Sequence, residues 1–155
     1  MENKIVVRIL TVVVFLLLGW FLFSFTFEFI GQYLERNHYR IATTTPLEEF
    51  RTQLFFSLIF GAIPALFWIS TRFFKYKSRF FQGFGILYTA FAGYVTVLLK
   101  GFTMFTIKTN LPSYIEMIEL SALKINQYLL LGILTGGLVC IGLGLLIKQI
   151  TLKRN

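Results

Sequence analysis

Four stretches of this chain, residues 9–27, 52–71, 80–99 and 125–147, contain no charged side chain. Each is close to the roughly 20 residues that a helix needs to cross a ~30 Å hydrocarbon layer. That regularity removes most soluble architectures from consideration. Composition points the same way: soluble proteins average about 25% charged residues, whereas this 155-residue chain is 14% charged, 56% hydrophobic and 18% aromatic. The expected fold class is an all-α membrane protein, with four transmembrane helices in an antiparallel bundle. Residues 1–155 then form one domain with spans near 5–30, 51–71, 80–105 and 122–147.

One segment argues superficially for a strand. In GWFLFSFTFEFIG, Phe21, Phe23, Phe25, Phe27 and Phe29 occupy alternate positions, which is the side-chain period of β structure. The alternation is, however, the tail of a much longer apolar run beginning at Ile9. A lone strand in lipid leaves its backbone polar groups unsatisfied, whereas a helix satisfies them internally. On a helix Phe21, Phe25 and Phe29 share one face, with Phe23 and Phe27 roughly opposite. The N-terminal MENKIVVR resembles a short charged leader, but the following apolar run is long and lacks an A-x-A site, so an uncleaved first span is expected.

Charge sets the expected orientation. With both termini and the 72–79 loop on one side, nine cations (Lys4, Arg8, Arg72, Lys75, Lys77, Arg79, Lys148, Lys153 and Arg154) face one acid, Glu2, leaving +8. The opposite side holds Arg36, Arg40, Arg51, Lys100, Lys108 and Lys124 against six glutamates and is neutral. The positive-inside rule makes the basic side cytoplasmic, as in a bacterial inner membrane. The basic balance then implies topology and anionic lipid on that side, not nucleic acid, with Arg72, Lys75, Lys77 and Arg79 the candidate lipid contacts.

Helix starts are signalled at two places. Thr45, Pro46 and Glu48 have the spacing of a cap, a first-turn proline and a capping-box acid, so the second helix should begin there and run to about Thr71, with Pro64 a candidate kink. Ser113 and Glu116 repeat the pattern, which places the start of the fourth helix near Tyr114, as an extension of its span in preference to a turn lying along the membrane surface.

Helices in lipid associate by close packing, which small residues permit. Candidate packing positions are Ser57, Gly61 and Ala65 in the second span, Gly85, Thr89 and Gly93 in the third, and Gly132, Gly136, Cys140 and Gly144 in the fourth. The first span is bulky, so helices two to four are expected to make the tight core. The phenylalanines of the first would then fill grooves or meet a partner, and part of the Gly132 to Gly144 groove is a candidate subunit contact.

Ionisable groups within spans are the usual markers of function in membranes. Here only Glu28 and Lys100 come near, at the outer edge, where they form a candidate ion pair between the first and third helices. Thr89, Thr96 and Thr103 recur every seven residues and form a candidate polar path. His38 and Cys140 are the single histidine and cysteine, and aspartate is absent. No catalytic set, metal site or cofactor cradle can be assembled from this inventory. In size and span number the chain is similar to small multidrug transporters, but those carry an embedded glutamate in the first helix and Glu28 lies at the edge, so no family is assigned.

The expected function is therefore a non-catalytic membrane accessory or structural subunit, packing with another membrane protein or with itself. The alternatives are a small oligomeric transporter or channel using the threonine face of the third helix, and a protein that handles anionic lipid.

Overall fold

A computed structural model describes residues 2–36, 40–42, 45–73, 79–108 and 117–153. It contains four long helices: α1 (Glu2–Glu35), α2 (Pro46–Phe73), α3 (Arg79–Lys108) and α4 (Ile125–Lys153). Each is long and apolar enough to cross a membrane. α2 begins where the Thr45, Pro46, Glu48 pattern places it, with the Glu48 amide donating to the Thr45 carbonyl at 2.9 Å. The helix then runs unbroken through the buried Pro64.

The phenylalanine alternation resolves as helical. Phe21 and Phe25 are 69% and 61% exposed, whereas Phe23 is 1% exposed. One face of α1 is thus apolar and outward, and the other supplies core. Phe23 meets Phe56 edge-on at 5.6 Å, and Phe56 stacks on Phe60 at 5.5 Å.

Two features depart from the expected all-helical outline. β1 (Arg40–Ala42) pairs in parallel with β2 (Met117–Glu119), Ile41 opposite Ile118, joining the two connections that precede α2 and α4. β2 leads into a 3-10 turn, Leu120–Leu123, so α4 starts at Ile125 rather than near Tyr114 or residue 122. Ser113 and Glu116 themselves lie outside the described residues, while two apolar residues of the turn, Leu120 and Leu123, bury against the core. Lys124 then takes a left-handed φ of 49° and its carbonyl receives the Gln127 and Tyr128 amides at 3.0 and 3.2 Å.

The helices associate mainly in pairs, α1 with α2 and α3 with α4, and narrower contacts tie α2 to α3 and α4. The expectation that α1 stands outside the tight core is therefore corrected. Gly19, in the middle of α1, is buried, and a Cβ placed on it would lie 2.7 Å from Phe60 Cβ and 3.0 Å from Ser57 Cα. In the second pair a Cβ on Gly132 would lie 2.8 Å from both the Ala92 carbonyl oxygen and Gly93 Cα. Both sites press against backbone, which cannot swing aside.

Gly19→Ala and Gly132→Ala should each cost about 1–3 kcal/mol of stability through overpacking. Gly137→Ala, whose Cβ would meet nothing within 4 Å, should be neutral or slightly stabilising; reversible unfolding in mixed micelles measures all three. Lys124→Gly should stabilise the fold by about 1 kcal/mol, because glycine adopts positive φ without the Cβ penalty, and the same assay reads it.

Candidate functional site

The described side chains that carry polar chemistry inside the spans fall into three groups. The first lies between α1 and α2. Ser57 Oγ donates to the Leu16 carbonyl at 2.6 Å, and Gln53 Nε2 donates to Ser24 Oγ at 2.8 Å and to the Trp20 carbonyl at 3.3 Å. A hydrogen bond to a carbonyl already engaged in its own helix uses the second lone pair of that oxygen. These bonds therefore fasten the helices together without opening either one. Gly61 sits in the same seam, where a Cβ would run into the Leu16 side chain, and Ala65 is partly buried farther along α2. Gln53, Ser24 and Gly19 carried no weight in the sequence reading; a glutamine and a serine in facing apolar spans are the signal that was available.

The second group is the seam of α3 with α4. Gly93 faces Ile133 and Leu129, Gly136 faces Ala92 and Thr89, and Gly85 turns toward the ring of Phe67 on α2. Gly144 is buried, as is Cys140, whose free thiol lies beside Thr89. Thr96 donates to the Ala92 carbonyl at 2.7 Å and abuts Gly132. Thr11, Thr26, Thr52 and Thr135 make the same bond to the carbonyl four residues back, at 2.6 to 2.9 Å. Thr89 departs from this habit: its Oγ1 is buried with no partner in hydrogen-bond geometry, Cys140 included. The side chain of Thr103 lies outside the described residues.

The third group is at the end of α1 away from its N-terminus. Glu28, Gln32 and Glu35, spaced along one helix face, line an open concavity of about 440 Å³ with Phe27, Gly31 and Ile41. All three polar side chains are exposed. Glu28 thus belongs to this acidic face, while Lys100 Nζ lies 4.9 Å from the ring centre of Tyr128 on α4, a cation–π distance. Asn126 Nδ2 donates to the Thr52 carbonyl at 3.2 Å and so links α4 to α2 nearby. At the other end Arg8 lies 5.4 Å from the centre of the Trp68 ring.

Of the candidate lipid contacts, Lys75 and Lys77 lie outside the described residues, while Arg72 and Arg79 fall in the last turn of α2 and the first of α3. No cluster of three His, Cys or Glu side chains able to hold a metal ion occurs among the described residues.

The α1–α2 bonds set an expectation. Interhelical hydrogen bonds in membranes average about 0.6 kcal/mol and reach about 1.7. Ser57→Ala should cost roughly 1 kcal/mol and Gln53→Leu a comparable amount, with the double variant close to additive because the two side chains have different acceptors; unfolding in mixed micelles tests both. Compared with family models, with curated proteins and with solved structures, the chain shows no match.

Proposed function

We propose that this chain is a non-catalytic integral membrane subunit that packs against a second membrane protein, or a second copy of itself, through the outward face of α1. The observation that carries the reading is the exposure of that helix. Only 11% of its most apolar window is buried in the protein, against 39%, 33% and 28% for the other three. The outward face is also organised: Phe25 and Phe29 stack at 6.3 Å and 11°, with Phe21 one turn earlier. Aromatic ridges present large areas with few rotatable bonds, a property of contact surfaces.

In this reading the four helices run antiparallel. Support comes from the order of the contacts, since Trp68 meets Arg8, Gly61 meets Leu16 and Gln53 meets Ser24, so numbers fall along α2 as they rise along α1. Gly93 opposite Ile133 and Thr89 opposite Gly136 give α3 and α4 the same relation. Both termini and the basic 72–79 connection then lie on one side, which the charge asymmetry makes the cytoplasmic face of a bacterial inner membrane, next to anionic lipid. A polar path along α3 is not part of the proposal, because Gly132 and Gly136 of α4 occupy the Thr89 and Thr96 face.

A photoreactive amino acid replacing Phe25 tests the subunit reading in native membranes. It should give a discrete protein–protein adduct, while the same group at the buried Phe23 should give none; lipid adducts alone from Phe25 would overturn the proposal. Single cysteines at Lys153 and Gln32, in a Cys140→Ala background, should label from opposite sides of the membrane.

A further inference from the structure

The outward stripe of α1 does not end with its phenylalanines. Leu10, Val14, Leu17, Phe21 and Phe25 are between 52% and 69% exposed, and Glu28, Gln32 and Glu35 follow them at the same three- and four-residue steps. All eight therefore lie along one side of the helix, opposite the buried Gly19, Phe23 and Ile30. The stripe changes character where the uncharged window closes at Phe27: it is apolar before that point and acidic after it. Eight residues separate Phe27 from Glu35, so the acidic part extends about 12 Å beyond the apolar run.

This acidic part is hollow. The open concavity of about 440 Å³ combines Glu28, Gln32 and Glu35 with apolar surface from Phe27 and Ile41, and Gly31 adds no side chain to fill it. Carboxylates beside apolar surface suit a long basic side chain, whose methylene stem covers the apolar part while its charged head meets the acids. The chain does not supply one itself. No ion pair or side-chain hydrogen bond to Glu28, Gln32 or Glu35 occurs among the described residues. Arg36, the nearest cation in sequence, is exposed and stands about 80° round the helix from Glu28 and about 100° from Glu35.

Symmetry argues against a second copy as the source. Two copies inserted the same way pair about an axis along the membrane normal, and a self-complementary contact brings equivalent residues together at equal depth. Through this stripe Glu28 would face Glu28 and Glu35 would face Glu35, and like charges set opposite each other act as a repulsive element against that pairing.

We infer that the partner of the α1 face is a transmembrane helix of a different chain, one that lays apolar residues along Leu10 to Phe25 and inserts an Arg or Lys side chain into the hollow at Glu28, Gln32 and Glu35. The inference rests on the subunit reading above and narrows it to one kind of partner.

Cross-linking from Phe25 of the full chain in native membranes tests both and separates them. The wild-type adduct should join two different chains, and peptide mapping should find an Arg or Lys of the partner within about ten residues of the linked position, since Glu35 is ten residues from Phe25. Glu28→Lys with Glu35→Lys should lower the adduct about tenfold, because like charges then meet across the contact. Glu28→Gln with Glu35→Gln should lower it about threefold, which keeps the test readable if the reversal disturbs folding. The melting temperature in mixed micelles should stay unchanged in the Gln pair, whose parent side chains are exposed. Replacing the mapped Arg or Lys of the partner by Glu should restore the adduct to the Glu28→Lys, Glu35→Lys chain. An adduct between two copies, a yield undiminished by either pair of substitutions, or a partner reversal that fails to rescue would overturn the inference and leave the subunit reading standing; lipid adducts alone would remove both.

Discussion

Contact of backbone with backbone at Gly19 and Gly132 is what the remaining structure depends on. Lipid tails are as apolar as leucine, so burying a leucine between helices gains little, and proximity itself must supply the attraction. At Gly19 the Cα of Ser57 is close enough that a single methyl group would press on it. The hydroxyl of Ser57 can then reach the Leu16 carbonyl at 2.6 Å. Close approach and hydrogen bond are thus one interaction seen from two sides, and the ring cluster of Phe23, Phe56 and Phe60 fills the space beside it.

How much of this could be read in advance follows from what each signal measures. Uncharged windows report backbone solvation, which is a local requirement, and all four helices lie where they predict. The phenylalanine faces of α1 were legible for the same reason, because the 3.6-residue period orders them without reference to any neighbour. Pairing is different. Counting small residues per span drew attention to Gly61, Gly93, Gly132 and Gly136 but ranked the first helix last, since Gly19 is isolated among Leu17, Leu18 and Trp20. A single glycine suffices when the partner helix supplies Ser57 opposite it, a fact about two helices that neither contains alone. The start of α4 was misplaced because Ser113 and Glu116 form a local capping pattern, while the observed start depends on strand pairing with β1 and on burial of Leu120 and Leu123, both long-range.

The threonines carry a related lesson. A hydroxyl at every seventh position of α3 reads in one dimension as a polar stripe. In three dimensions Thr96 bonds the carbonyl of its own helix and turns its remaining surface to Gly132. Self-bonded hydroxyls behave toward neighbouring helices almost as valine does, so hydroxyl count overstates the polarity a bundle experiences. Thr89, buried without a bonded partner in the α3–α4 seam, is the place where that economy is broken.

The short β1–β2 ladder bears on how the chain assembles. The described contacts that hold α1 to α2 run from Arg8 with Trp68 to Ser24 with Gln53, so this hairpin can form before synthesis reaches α3. The α3–α4 hairpin is likewise self-contained around Gly93 and Gly132. The ladder, by contrast, matches Arg40 with Met117, one strand from each of the connections before α2 and before α4, and can zip only once α3 has been delivered and β2 has followed it. It acts as a clasp between the two connections: the first hairpin is registered against the segment that leads into α4 outside the apolar spans, where exchange of hydrogen bonds with water is easy and an early mismatch can still be undone.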